Sequence, residues 1–439
     1  MTVDEILNIA ENEEIEFIRL QFTDIFGMLK SVAITRRQLK TVLKNGCMFD
    51  GSSIEGFARI EESDMRLVPD LDTFCVLPFS ESPGKVARLI CDIYKTDGTP
   101  FEGDPRYVLK RAIKKAADMG YTCKVGPECE FFLFNIDEKG NPTVDSPDTC
   151  GYFEIAPKDS GSIIRRKICL ALEKMGYNIE ASHHENANAQ HEIDFKYCDC
   201  LEAADKIITF KLAVKAIARE NDMFASFMPK PKFGQAGSGM HVNISLHKDG
   251  KNVFFGDSEE HLSREAKMFI GGLLAHAKGF TAITNPLVNS YKRLVSGYEA
   301  PTNIAWSLRN RSPLIRIPAF DEKSARIEVR SPDPSCNPYL ALALLLTAGL
   351  DGIEKGIVAP ERTKGNIFAL SDHEKELKGV QSLPDSLHSA LRELRHDDVI
   401  MSALGDTVIN IYLPAKEEEW KAYRTVVSRW EIENYLPKY

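Results

Sequence analysis

Asp97-Gly98-Thr99-Pro100-Phe101-Glu102-Gly103-Asp104-Pro105 divides this 439-residue sequence into two unequal parts. Asp97 to Pro100 has turn chemistry, and Asp104-Pro105 sets a capping carboxylate and a first-turn proline ahead of an apolar stripe. Val108, Leu109, Ala112, Ile113 and Ala116 form that stripe on one helix face, and Gly120 ends it. Upstream, the pattern is short and extended. Glu16 to Phe22 alternates, Asp24 to Gly27 offers a turn and Met28 to Ile34 resumes, which predicts a hairpin. A helix from Arg36 to Lys44 stops at Asn45-Gly46, and strands are predicted over Thr73 to Pro78 and Val86 to Tyr94. Downstream, strands alternate with helices over Leu201 to Arg219, over Ser263 to Lys278 and from Asn337-Pro338 onward. A last helix is predicted to carry Trp420, Tyr423, Val427 and Trp430 on one face. The fold class expected is α+β, with a small sheet-based domain over residues 1–100 and a large domain over 104–439.

At roughly 150 residues per domain the length permits two to three domains, and 43% apolar residues supply an ordinary core. The net charge of −9 comes from 64 acidic against 55 basic side chains. There is no Lys/Arg run or basic tail, which argues against nucleic acid as a partner. An acidic chain that handles phosphates must gather its arginines locally or enlist cations. The ten cysteines contain no CxxC, and Met1 to Glu16 is too charged for a secretory segment. Reduced thiols in a cytoplasm are expected. Tyr339 to Leu350, the longest apolar run, falls short of the about 20 residues that a bilayer needs and reads as a buried helix.

Four stretches carry chemistry. In Cys123 to Phe134, period two puts Glu128 and Glu130 on one strand face and Cys129 on the other. Two adjacent acids are commonly a solvated face, but Phe131, Phe132, Leu133 and Phe134 make solvation less attractive, and a cation would relieve the repulsion. His183-His184-Glu185 and Gln190-His191-Glu192 crowd imidazoles and carboxylates together without HExxH spacing, so a metal site and a polar loop both stay open. Gly237-Ser238-Gly239-Met240-His241 lacks the third glycine of a dinucleotide fingerprint, Val242 standing in its place. Its glycines suit close approach to a small ligand. Arg326-Ile327-Glu328-Val329-Arg330 alternates, which reads as a salt-bridged strand edge or as a metal-binding carboxylate between two phosphate-clamping guanidiniums. Arg293, Arg309, Arg311 and Arg316 lie just upstream and argue for an anionic substrate. No P-loop is present. Spacing alone leads to a metal-assisted phosphoryl-transfer enzyme.

Taken together and in order, these segments resemble glutamine synthetase of the bacterial type I family. The likeness runs over nearly the whole chain. It rests on Asp50-Gly51-Ser52-Ser53-Ile54-Glu55-Gly56-Phe57, Pro127-Glu128-Cys129-Glu130, Gln190-His191-Glu192, Gly237 to His241, Asn289-Ser290-Tyr291-Lys292-Arg293, Asn310-Arg311-Ser312 and Arg326 to Arg330. The resemblance implies an N-terminal β-grasp domain and a large catalytic domain, assembled as a homododecamer of two stacked hexamers with active sites between subunits. It implies ATP-dependent ligation of ammonia to L-glutamate through γ-glutamyl phosphate. Two to three magnesium or manganese ions per subunit are expected. Glu130, Glu185 and Glu192 would take one ion and Glu128, His241 and Glu328 another. Ala236, Gly237 and Arg293 would hold glutamate, with Arg311 and Arg330 at the transferring phosphoryl group. Glu180, Tyr197, Asn243, Ser245, Arg316, Lys323 and Arg326 would bind ATP, with Arg311 at its phosphates. Glu299 would be the flap residue that shields the intermediate and takes a proton from ammonium. Asp50 and Ser53 would serve a neighbouring subunit's ammonium site.

Two positions depart from the family pattern. Ala236 stands where asparagine is expected, and Phe368 stands where a modifiable tyrosine occurs in the adenylylated branch. The chain is also short and in this resembles the feedback-inhibited branch, in which the residue matching Arg59 helps sense glutamine. The rival reading is a γ-glutamyl ligase with an organic amine or polyamine acceptor. Asp50, Ser53 and Glu299 argue against it, because a bulkier acceptor needs no ammonium cage. A non-catalytic relative is opposed by the presence of all six expected metal ligands. A regulatory protein partner is left open.

Overall fold

The structure is a computed structural model that describes residues 1–52, 54, 64–79, 84–365, 367, 372–377 and 379–439. Ser53, Arg59 and Phe368 lie outside the described residues.

The small sheet has the order Leu29–Thr35, Ile15–Thr23, Lys85–Lys95, Asp64–Pro69, Cys47–Asp50, and Cys75–Val76 also pairs with Lys85–Lys95. The first two strands form the predicted antiparallel hairpin, Phe17 facing Thr35 and Thr23 facing Leu29. Asp24 shapes the turn: its Oδ1 accepts from Phe26 N at 3.0 Å and Met28 N at 2.9 Å, and Gly27 takes φ 85°, a conformation suited to glycine. Ile6, Ile15, Ile18, Leu20, Leu39, Leu67, Leu89 and Ile93 make the core of this unit. Four of its described elements were not predicted, one of them the single 3-10 turn Leu71–Thr73. Helix Val3–Asn12 is amphipathic and opens on a Thr2/Glu5 capping box. Strands Cys47–Asp50 and Asp64–Pro69 are short and owe their form to pairing, the second with Lys85–Lys95.

Helix Pro105–Asp118 starts as expected, Asp104 Oδ1 accepting from Arg106 N at 2.9 Å. The other Asp104 oxygen accepts from Ile93 N at 3.2 Å, so one carboxylate serves both units. Arg106 ties them again, its guanidinium reaching Asp70 and Asp92 at 2.7 Å and Asp205 at 2.9 Å.

The large sheet runs Trp306–Leu308, Ile315–Ile317, Ile327–Val329, Met240–Lys248, Thr122–Asn135, Gln190–Phe195, Ile179–His184. Cys129, Phe131 and Leu133 enter the main core with residues of helices Cys200–Arg219 and Pro338–Lys355. Phe132 and Phe134 point the other way and pack with Ala187, Ala189 and Ala236. The alternation predicted for this strand therefore holds along its length. Two helical expectations are corrected. Ser263 to Lys278 is broken at His276 into Arg264–Ala275 and Ala277–Thr284, where Asp397 and Asp351 grip the imidazole. The final stripe is divided between helices Asp406–Arg424 and Arg429–Tyr435, so Val427 lies between helices and Trp430 on the second. No helix among the described residues is long and apolar enough to cross a membrane.

Candidate active site

Thr122–Asn135 is central in its sheet, and its register sets the acids in rows. Glu128 faces His241 on one side and Asp194 on the other, while Glu130 faces Glu192. On the next strands, Glu328 pairs with Asn243 and Arg316. Ile327 and Val329 are fully buried in the core as alternation requires, and Glu328 is fully buried too. Glu328 is salt-bridged to Arg316 and Arg330, but Ile327–Val329 is an interior strand and not an edge.

Two cavities adjoin on this face. The first, of about 220 Å³, is lined by Glu128, Glu130, Glu185, Glu192, His241, Glu328, Ala236, Gly237, Arg293, Glu299, Arg311, Arg316 and Arg330, among others. The second, of about 310 Å³, is lined by Glu180, Tyr197, Asn243, Ser245, Lys323 and Arg326, among others. Glu128 and Asp194 line both. Arg316 belongs to the first cavity and is bonded to Glu328 Oε2 at 2.5 Å. Asp50 is exposed, accepts from Ser52 N and Oγ at 2.8 and 2.6 Å, and lines neither cavity.

Glu128, His241 and Glu328 bring ligand atoms within 4.8 Å of one another, as do Glu130, Glu192 and His241, and His183, Glu185 and Glu192. The first set is one of the two expected. In the other, Glu185 approaches Glu192 through His183, whose ring nitrogens lie 3.7 Å from Glu185 Oε1 and 3.5 Å from Glu192 Oε2. The remaining histidines of that cluster turn behind the strands, where His184 Nε2 meets Asp148 at 3.0 Å and His191 Nδ1 meets Arg165 at 2.9 Å.

Burial and crowding set the charges. Burial, with Glu185 close by, pushes Glu130 up to about 8. Burial, with Glu128 close by, pushes Asp194 up to about 7. Burial and then Asp194 raise Glu192 well above the carboxylate range. Glu128 works against burial: His241, followed by Asn243, holds it down at about 2. Carboxyls forced toward the neutral form by one another are what a divalent cation relieves. Carboxylate oxygens outnumber the two imidazoles, His183 and His241, in these clusters, a donor set that fits magnesium or manganese.

Glycine is required beside the acids. A Cβ on Gly239 would stand 2.6 Å from Arg293 Nη2 and 2.8 Å from His241 Nε2, and one on Gly237 would stand 2.2 Å from Pro229 O. Arg293 is aimed by its bonds to Ser331 O at 2.7 Å and Arg330 O at 3.1 Å. Glu299 sits at φ 62° and accepts from Asn186 Nδ2 at 3.1 Å. Sequence reasoning missed Asp194, although Glu192-Ile193-Asp194 repeats the period-two acid spacing of Glu128-Cys129-Glu130. Tyr152 and Tyr298, also in the first cavity, carried no such signal.

Family models match in both units: the glutamine synthetase beta-Grasp domain over residues 14–96 and the glutamine synthetase catalytic domain over 102–435. Glutamine synthetase of Clostridium saccharobutylicum is 57% identical over 439 residues, covering 100% of this chain and 99% of that one. Glutamine synthetase of Staphylococcus aureus (strain MW2) is 56% identical over 440 residues, with the same coverage. A solved GmaS/ADP complex is 33% identical with a TM-score of 0.90, covering 98% of this chain and 99% of that one. Plasmodium falciparum glutamine synthetase is 26% identical with a TM-score of 0.86, covering 99% of each chain. A β-grasp unit joined to a catalytic unit with this acid-lined sheet face defines a ligase. The chain belongs to the glutamine synthetase family, and it is a glutamate–ammonia ligase.

Proposed function

We propose that the first cavity joins ammonia to the side-chain carboxylate of glutamate through γ-glutamyl phosphate, and that the second takes ATP. One observation carries this reading: Glu128 and Asp194 form a wall common to both cavities, so a phosphoryl donor in one lies beside its acceptor in the other. Holding the reactants in line accounts for much of the catalysis expected of such a transfer.

Glu128, His241 and Glu328 would hold one divalent cation, and Glu130, Glu185 and Glu192 another, two to three magnesium or manganese ions per subunit in all. When bound, such cations cancel the repulsion between the glutamate carboxylate and the ATP phosphates. Arg293, fixed by its two carbonyl partners, would hold the α-carboxylate, with Ala236 and Gly237 near the amino group. Arg311 and Arg330 would neutralise the phosphoryl group in transit. Arg316 would act at the same end, because it lines the acid cavity. Glu180, Tyr197, Asn243, Ser245, Lys323 and Arg326 would seat the nucleotide, and Arg326 Nε already donates to Asn243 Oδ1 at 3.2 Å. Glu299 would close over the intermediate, exclude water and take a proton from ammonium.

The exposure of Asp50, away from both cavities, supports its service with Ser53 in a neighbouring subunit's ammonium site. That arrangement goes with a dodecamer of two stacked hexamers and with domains of 1–100 and 104–439. Ten free cysteines fit a cytoplasmic setting. Glutamine feedback through Arg59 belongs to the same proposal.

The test is phosphate release from ATP with glutamate and magnesium, comparing ammonium with methylamine, ethanolamine and a polyamine. Strong preference for ammonium is expected. Preference for an organic amine would overturn the ammonium roles of Asp50 and Glu299, and no release with any acceptor would overturn the whole reading.

A further inference from the structure

Gln190 is 1% exposed, and its side-chain amide is fully committed. Oε1 accepts from Ala187 N at 3.1 Å, while Nε2 donates to Glu130 Oε2 at 2.7 Å and to Gly237 O at 3.2 Å. These partners fix which end is which: a backbone N–H needs an acceptor, and a carboxylate and a carbonyl need a donor. Glu130 Oε2 takes a second bond from Gly239 N at 2.9 Å. With two donors on Oε2, Oε1 is the Glu130 oxygen left for a cation. The main chain of Gln190 adds a further tie, its carbonyl accepting from Glu185 N at 2.8 Å.

The Gly237–Gly239 segment has little freedom to absorb a change. Ser238 N donates to Pro229 O at 2.8 Å, and the same carbonyl sits where a Cβ of Gly237 would be. A displacement of Glu130 is therefore passed to Gly237 through one buried amide, and a displacement of Gly237 is passed back.

We propose that Gln190 is a positioning residue that couples cation binding at Glu130 to glutamate binding at Gly237, a role that rests on the reading of Glu130 as a cation ligand and Gly237 as a glutamate contact. Such coupling is reciprocal: glutamate tightens the cation by the factor by which the cation tightens glutamate. A neutral amide is required there. A carboxylate at this position would keep the bond from Ala187, face Glu130 with a like charge and leave the Gly237 carbonyl without its donor.

The test uses the full-length assembled protein, with Mn2+ as the probe and free ion followed by electron paramagnetic resonance. In the unaltered protein, glutamate is expected to tighten one Mn2+ by about 10-fold, within the usual range of coupling between sites. In Gln190→Glu and Gln190→Met that factor is expected to fall below about 2-fold. The KM for glutamate should rise about 10-fold while the KM for ATP moves less than about 2-fold, a split that general structural damage does not produce. Coupling retained in either folded variant, or equal losses for glutamate and ATP, would overturn the proposal. So would an unaltered protein whose Mn2+ affinity ignores glutamate, a result that needs no variant to fold. Glu130→Gln separates the two readings. If it leaves Mn2+ stoichiometry intact, the cation assignment fails and the coupling with it. If it removes one ion while the Gln190 variants keep their coupling, only the role of Gln190 fails.

Discussion

Arg330 Nη1, just past the end of strand Ile327–Val329, stands 2.8 Å from Glu328 Oε1 within it, and both side chains are buried. Arg316 occupies the other oxygen, so Glu328 is held by a guanidinium at each. Glu328→Ala removes a proposed cation ligand and strands the buried charge of Arg330. A loss of about 3 kcal/mol or more in unfolding free energy is expected, as for other broken buried pairs. Denaturant unfolding and Mn2+ stoichiometry measure it, and a variant unchanged in both would refute the assignment.

Gly239→Ala places a methyl against Arg293 and His241, at distances that force one of them to move. Arg293 is the buried partner proposed for the α-carboxylate, so the KM for glutamate should rise by about 10-fold or more, a 1.4 kcal/mol loss being tenfold. Steady-state kinetics at saturating ATP and magnesium checks this. An unchanged KM would mean that the loop shifts freely.

Asp50→Ala should suppress glutamine formation most at limiting ammonium and leave Mn2+ binding as it was, because Asp50 touches neither cavity of its own chain. Unimpaired turnover at low ammonium would remove Asp50 from the reaction. Mixed assemblies of Asp50→Ala and Glu328→Ala subunits should regain part of the activity that each lacks.

His276 gives stability a pH dependence. Its ring is bonded to Asp397 at 2.8 Å and Asp351 at 3.0 Å, and these partners outweigh burial to raise its pKa. The unfolded chain binds that proton less tightly. The stabilisation is therefore complete below about pH 6.5, the ordinary histidine value. It is lost as pH rises through the folded value. The melting temperatures of the unaltered protein and His276→Gln should differ most near pH 6 and converge as pH rises. A gap that widens with pH would contradict this sign.

Much of this was readable from local pattern. Period two in Cys123 to Phe134 gave the strand and its acid face, and Asp104-Pro105 gave the helix start. The capping box at Thr2 and Glu5 was also in the sequence but is hidden among acidic residues that dilute the apolar stripe to Ile6 and Ala10. The break at His276 had no local signal, because the groups that grip the ring come from residues 351 and 397. The strands Cys47–Asp50 and Asp64–Pro69 are likewise made by partners remote in sequence. In the site, residue types and motifs named the acids, but not their division into front and back. That His183 turns toward Glu185 while His184 turns toward Asp148 depends on strand facing, which a cluster of like residues does not encode.

The stretch that parts the sequence in two is also where the parts are fastened. Asp104 caps helix Pro105–Asp118 and bonds strand Lys85–Lys95, and burial beside Asp92 pushes its carboxyl up to about 7. Next to it, Arg106 is shared among Asp70, Asp92 and Asp205. Neither core can come apart without exposing groups that the other has partnered. Heating should therefore melt both cores in a single cooperative transition, where beads on a flexible string would melt one after the other.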